Sequence, residues 1–124
     1  MEDQRKEIFQ DMLAIMKKFE KGMKVKTDGK TKYDMYGTKK VNLYNKEFDG
    51  MYFASVMIQK NSVGFHYFPQ YANPKLLAEL PENLKKCLKG KTCFHIKKRD
   101  EDLYKSIKSY VKIGYDGYKK MGWI

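Results

Sequence analysis

Cys93, His95 and His66 are the residues whose types and spacing come closest to a chemical site. In a β-strand, alternate side chains share a face, so Cys93 and His95 should point the same way. If the strand carrying His66 is their neighbour, the three side chains converge, with Cys87 close enough to be a fourth ligand for Zn²⁺. Their spacing matches no established zinc pattern, however. We therefore expect no metal and no other cofactor, and a small buried thiol beside hydrogen-bonded histidines.

The same cluster suggests an alternative, a Cys93 nucleophile with a histidine base. Lys91 and Lys97 would supply the electropositive setting that a thiolate needs. No oxyanion loop accompanies them, so the sequence does not favour an enzyme and we predict no catalytic residues. The carboxylates of Asp100, Glu101 and Asp102 stand at the start of a predicted helix, where capping accounts for them.

A basic segment runs from residue 85 to residue 99 without an acidic residue. Its seven cations are Lys85, Lys86, Lys89, Lys91, Lys97, Lys98 and Arg99. Either it is a solvated surface, or it holds an anion such as a phosphate or a nucleic-acid backbone. In the second case the Gly90-Lys91-Thr92 turn is the expected anchor, because it offers backbone access, a point charge and a hydroxyl.

Alternation predicts which side of the sheet each of these residues occupies. We expect Phe65, Tyr67, Phe94 and Ile96 to be buried against helices, with His66 and His95 on the opposite side. Six tyrosines in or beside predicted strands should mostly form core contacts and cross-strand pairs: Tyr33, Tyr36, Tyr44, Tyr52, Tyr67 and Tyr71. Any that remain on the outer face would line a ligand groove or a self-association surface.

Apolar periodicity and caps predict three helical regions. The first covers residues 3 to 21, with Asp3 as N-cap and Gly22 after its end. The second begins at Asn73-Pro74 and includes a short helix from Glu82 to Leu88, closed by Gly90. The last is capped by Asp100, and its apolar stripe is Leu103, Ile107, Tyr110, Val111, Gly114 and Tyr118.

Strand signals fill the rest of the chain. Period-two alternation on both sides of Asp28-Gly29 predicts a hairpin with a two-residue turn. Further strands are expected at 41–44, 51–59, 63–68 and 93–97. This order predicts an α+β fold, with an antiparallel sheet of about five to six strands and helices packed on one face.

Composition limits the class of protein. A chain of 124 residues with 42% hydrophobic residues fits one domain, residues 1–124, in two layers. With no apolar run of about 18 residues and no signal-peptide pattern, we expect a cytoplasmic protein with no membrane partner. The net charge of +11 favours polyanions, but among 26 basic residues only Arg5 and Arg99 are arginines, the residue suited to bidentate phosphate recognition.

Three segments resemble the YdhG-like domain family: residues 52–58, residues 63–67, and Gly90-Lys91-Thr92-Cys93-Phe94-His95-Ile96-Lys97. Tyr71-Ala72-Asn73-Pro74 matches the family's YxxP segment. The resemblance covers about the last three-fifths of the chain and implies a compact α+β domain of the bacterial cytoplasm, largely of unassigned function. One branch is linked to frataxin-like iron delivery. That role does not carry over, because the acidic residues here are scattered and outnumbered, and His95 stands where the family more often has Asn.

The functional prediction is a non-catalytic protein that binds an anionic small ligand or partner. The site would use the open sheet face and the basic edge, with these candidate residues: His66, Lys89, Gly90, Lys91, Thr92, His95 and Lys97. The second choice is a nucleic-acid-associated accessory protein, and the third is a frataxin-like metal carrier. The pattern is compatible with a monomer or a homodimer.

Overall fold

The computed structural model describes residues 4–43, 45–90 and 92–124. Within these ranges the helices are α1 (Arg5–Met16), α2 (Pro69–Ala72), α3 (Glu82–Lys85) and α4 (Glu101–Lys120). Turns of 3₁₀ helix occupy Lys17–Phe19 and Pro74–Glu79. The strands are β1 (Met23–Asp28), β2 (Lys32–Gly37), β3 (Val41–Leu43), β4 (Lys46–Phe48), β5 (Tyr52–Ile58), β6 (Val63–Tyr67), β7 (Leu88–Lys89) and β8 (Cys93–Ile96).

Six of the described strands form one open antiparallel sheet in the order β1-β2-β5-β6-β8-β7, and β3 pairs with β4 in a separate hairpin. The long helices α1 and α4 pack on one face of the sheet, where the core lies. The predicted α+β class, the strand number and the one-sided helix packing are confirmed. No helix in the described ranges has the length and apolar character needed to cross a membrane.

Helix α4 follows the predicted pattern closely. The Asp100 carboxylate accepts hydrogen bonds from the backbone N–H groups of Asp102 at 3.1 Å and Leu103 at 3.2 Å, so it caps the helix as expected. The buried stripe consists of the six predicted residues, Leu103, Ile107, Tyr110, Val111, Gly114 and Tyr118. This stripe closes the core over the middle of the sheet.

Helix α1 is shorter than predicted, since it changes to a 3₁₀ turn after Met16. Gly22 follows with a φ of +79°, a conformation that glycine adopts without strain. The predicted cap Asp3 lies outside the described residues.

Two turns differ from their predictions. Asp28 still belongs to β1, where it pairs with Tyr33, and the Gly29 N–H donates to the Lys32 carbonyl. The hairpin tip is therefore longer than two residues, and Gly29 has no positive φ. Gly90 does not end a helix. It lies with a φ of +85° in the turn after β7, a strand that forms because Leu88 pairs with Phe94 at the edge of the core.

Candidate functional site

The side of the sheet away from the helices, called here the open face, carries the residues that could bind a ligand or take part in a reaction. Strand β6 pairs with β8 so that Phe65 faces Phe94 and His66 faces Cys93. Phe65, Tyr67, Phe94 and Ile96 are fully buried in the core, as predicted, and the histidines are half-buried on the other side. The register inferred from period-two alternation is confirmed.

A row of polar side chains crosses the open face from strand to strand. The backbone register places Asp34 opposite Ser55, Ser55 opposite His66, His66 opposite Cys93, and Cys93 opposite Lys89. Directly paired residues of antiparallel strands project to the same side with their Cβ atoms about 5 Å apart. The row therefore joins residues from five strands into one continuous surface.

A cleft of about 240 Å³ lies over one half of this row. Its lining residues come from three neighbouring strands: Lys32, Asp34, Tyr36, Tyr52, Ser55, Met57 and His66. Of the sequence-predicted site residues, His66 is in this lining, and Lys89 and His95 lie farther along the same face.

The polar groups in the cleft are largely fixed by hydrogen bonds. Asp34 is 6% exposed, and its Oδ1 accepts a hydrogen bond of 2.8 Å from the backbone N–H of Thr27. The Tyr52 hydroxyl and the Ser55 hydroxyl form a short hydrogen bond. Burial raises the pKa of Tyr52 to about 12. Its hydroxyl group is therefore polar but uncharged.

His66 and Cys93 are in direct contact, with 3.6 Å between Nε2 and Sγ. Burial lowers the pKa of His66, and the nearby His95 and Lys32 lower it further. Burial raises the pKa of the Cys93 thiol. Both shifts favour the neutral forms, so the pair does not provide the thiolate that nucleophilic catalysis requires.

The four candidate metal ligands considered from the sequence are not brought together among the described residues. Cys87 packs against the core, and its thiol lies 3.7 Å from the carbonyl oxygen of Asn83, because the chain there is leaving helix α3. Among the residues that the structure describes, no three His, Cys, Asp or Glu side chains are grouped so that they could hold a metal ion. Cys87 and Cys93 are both free thiols.

Two tyrosines form the aromatic wall of the cleft. The rings of Tyr36 and Tyr52 are 5.2 Å apart between centroids and tilted by 47°. The Lys26 ammonium lies over the Tyr36 ring, 4.1 Å from its centroid. Tyr33 and Tyr67, in contrast, are core residues, and Tyr44 lies outside the described residues.

The basic segment is not one surface. Lys85 ends α3, Lys86 follows it, and Lys89 stands on the open face. Lys97 and Lys98 are exposed beyond the end of β8. Arg99 is held by Asp11 of α1 through two hydrogen bonds of 2.7 and 3.1 Å. The described cations of the segment are thus distributed over α3, the open face and the residues that follow β8.

The predicted anchor turn lies away from the cleft. Gly90 lines an apolar hollow of about 410 Å³, together with Tyr71, Leu77 and Leu88 among others. The carbonyl of Thr92 accepts a hydrogen bond from the N–H of Tyr67 at 2.9 Å, and Lys91 lies outside the described residues. The described lining of this hollow carries no charged side chain, so its chemistry differs from that of the cleft.

Lys32, Asp34 and Ser55 belong to the cleft but were not among the predicted site residues. The alternation of Lys32, Asp34 and Tyr36 with the core residues Tyr33 and Met35 was the signal that could have placed them on the open face.

None of the protein-family models, curated proteins or solved structures compared with the chain matches it.

Proposed function

We propose that the protein binds a small anionic ligand without transforming it, in the cleft of the open face. The observation that carries this proposal is the cleft itself, a concavity of about 240 Å³ in which Lys32 and His66 stand beside two tyrosine rings. The cleft is smaller than the roughly 300–1,000 Å³ of sites for drug-sized ligands. A small ligand, or one group of a larger one, matches this volume.

Charge around the cleft favours an anion. Lys32 lies in the lining, Lys26 lies over the Tyr36 ring, and Lys89 continues the polar row toward the sheet edge. Asp34 opposes this preference, but one of its oxygens is already occupied by the Thr27 amide. A phosphate or carboxylate near Lys32 would meet the imidazole of His66, which can donate a hydrogen bond to an anion.

A binding function agrees better with the cleft than an enzymatic one. Tyr52 and His66 are both held in their neutral forms by burial, and the hydroxyl of Ser55 is engaged by Tyr52. A nucleophile with an adjacent base and a group that orients the base is the usual requirement for covalent catalysis. We also propose that the protein belongs to the YdhG-like family, which residues 52–58 and 63–67 resemble, and that it is cytoplasmic.

Two substitutions in the cleft should change anion affinity in opposite directions. Lys32→Ala removes the nearest cation and should weaken binding of inorganic pyrophosphate about tenfold, the effect of losing about 1.4 kcal/mol of interaction. Asp34→Asn keeps the shape and the acceptor for Thr27 but removes the opposing charge, so it should strengthen binding severalfold. Isothermal titration calorimetry at constant ionic strength measures both changes.

Lys112→Ala provides the matched control. Lys112 is an exposed lysine of α4 that pairs with Asp116 at 2.9 Å, so its removal lowers the net charge equally but far from the open face. Pyrophosphate affinity should stay within about twofold of the wild type, because charge separated by more than a Debye length is screened. Equal losses in Lys32→Ala and Lys112→Ala would contradict the site and indicate general attraction to the +11 charge.

A further inference from the structure

We infer that the ligand of the open face is a single-stranded nucleic acid, with bases stacked along a row of four aromatic rings and phosphates held by the lysines around it. This inference rests on the proposed function, because it names the ligand class of the same face. The row, called here the aromatic row, consists of Tyr36, Tyr52, Phe68 and Tyr71.

The aromatic row runs from the cleft, which Tyr36 and Tyr52 line, to the apolar hollow that Tyr71 lines. Tyr52 follows Tyr36 at 5.2 Å, Phe68 follows Tyr52 at 5.9 Å, and Tyr71 follows Phe68 at 5.4 Å between ring centroids. Tyr36, Tyr52 and Phe68 are half-buried residues, and Tyr71 is 45% exposed. Tyr36 and Tyr52 lie on strands, Phe68 directly follows β6, and Tyr71 lies in α2. Consecutive aromatic rings at a protein surface are the usual platform for successive unpaired bases.

The cations are spread over the whole width of the sheet. Register places Lys24 beside Tyr36, Lys26 lies over that ring, and Lys89 stands on the outermost strand at the other edge. Six strands about 4.8 Å apart separate β1 from β7 by about 24 Å. One small anion cannot contact both edges, whereas the repeated phosphates of a polyanion can.

The acidic residues of this sheet do not cancel that field. The six strands contain two of them, Asp28 and Asp34. Asp28 is the last residue of β1, and it pairs with Tyr33 of β2, a core-side residue. Asp34 is 6% exposed and accepts the Thr27 amide, so it would lie beneath a bound strand rather than against its phosphates.

The chemistry of the face also indicates the kind of nucleic acid. A shallow sheet with tyrosine and phenylalanine rings uses the π-faces of bases, which are hidden in a duplex, so single strands should be preferred. The described cations of the face are lysines, which act as point charges and lack the bidentate fork that reads guanine edges. Binding should therefore be largely independent of sequence.

Fluorescence anisotropy with a labelled 12-nucleotide oligothymidylate tests this inference. Wild-type protein should bind the single strand more tightly than a duplex of equal length and more tightly than thymidine monophosphate. Contacts with three to four phosphates should give a slope of log K against log salt of about −2 to −3. Tyr36→Ala should weaken binding about 5- to 150-fold, and Tyr36→Phe, which keeps the ring, should retain it.

Tyr71→Ala gives a second measurement, at a residue that is 45% exposed. It should also weaken the oligonucleotide while leaving pyrophosphate affinity unchanged. Lys112→Ala is the charge-matched control and should leave the affinity within about twofold of the wild type.

The outcomes separate the two proposals. If pyrophosphate binds in the cleft but the oligonucleotide binds no tighter than the monophosphate, the inference is overturned and the proposed function stands. If neither pyrophosphate nor the oligonucleotide binds, both fail. Equal affinity for duplex and single strand, or unchanged affinity after Tyr36→Ala and Tyr71→Ala, would overturn the nucleic-acid inference by showing attraction to charge alone.

Discussion

Gly114→Ala should destabilise the protein by about 3 kcal/mol, near the upper end of the usual cost of overpacking a core. An added Cβ at Gly114 would lie 2.8 Å from Cζ of Tyr67 and 2.9 Å from Cβ of Pro69. Tyr67 cannot move aside easily, because it is fully buried and its hydroxyl donates a 2.6 Å hydrogen bond to the Tyr110 carbonyl. Urea denaturation followed by circular dichroism measures the loss.

Gly117→Ala, three residues later in the same helix, is the control. Nothing lies within 4 Å of the Cβ that this substitution would add. Replacing a helical glycine by alanine at an open position typically stabilises a helix by about 0.5–1 kcal/mol. If both alanine variants lose similar stability, the close packing of Tyr67 against α4 is not as described.

Phe65→Ala should cost about 3–5 kcal/mol, a large share of the stability of a domain of this size. Phe65 is fully buried at the centre of the sheet, with ring centroids of Tyr67 and Phe94 each 5.7 Å away. Its truncation leaves a cavity between the sheet and the helices, and thermal or urea denaturation measures the cost.

The adjacent His66→Ala tests the same strand from the other face. His66 is half-buried on the open side and contacts Cys93 at 3.6 Å, so its loss should change the free energy of unfolding by about 1 kcal/mol or less. A cost for His66→Ala that equals or exceeds that of Phe65→Ala would mean that the two faces of β6 are assigned in reverse.

The faces of the strands and the final helix could be predicted because they depend on local periodicity. The alternation of Phe94 and Ile96 with His95 fixed the face of β8, and the stripe from Leu103 to Tyr118 fixed that of α4. Strand β4 was missed because it contains a single apolar residue, and β7 was missed because two residues are too short to show a period. Gly90 was assigned to a helix end for the same reason, since the two-residue strand before it gave no signal.

The candidate site was less predictable because it depends on which strands become neighbours. The pairing of β2 with β5, with a shift of register after Met35, brings Tyr36 next to Tyr52. Phe68, the residue after β6, joins them because its N–H donates to the carbonyl of Phe53 in β5. Such long-range pairings are not encoded in the spacing of residues along the chain. For the same reason, the spacing of the basic segment gave no sign that Arg99 would pair with Asp11 of α1.

The pKa of His66, measured by NMR with and without ligand, tests most directly whether an anion binds in the cleft. Free His66 should have a pKa below its ordinary value of about 6.5, because of burial and of the neighbouring His95 and Lys32. A bound phosphate would favour the protonated imidazole, because an anion stabilises a nearby positive charge. Asp34 and the neutral Cys93 thiol lie in the same polar row with and without the ligand.

Saturating pyrophosphate should therefore raise the pKa of His66, and by linkage anion affinity should increase as the pH falls through this range. The oligonucleotide should act in the same direction if its backbone crosses the cleft. A pKa of His66 that stays unchanged at saturating pyrophosphate, or that falls, would contradict binding of an anion between Lys32 and His66.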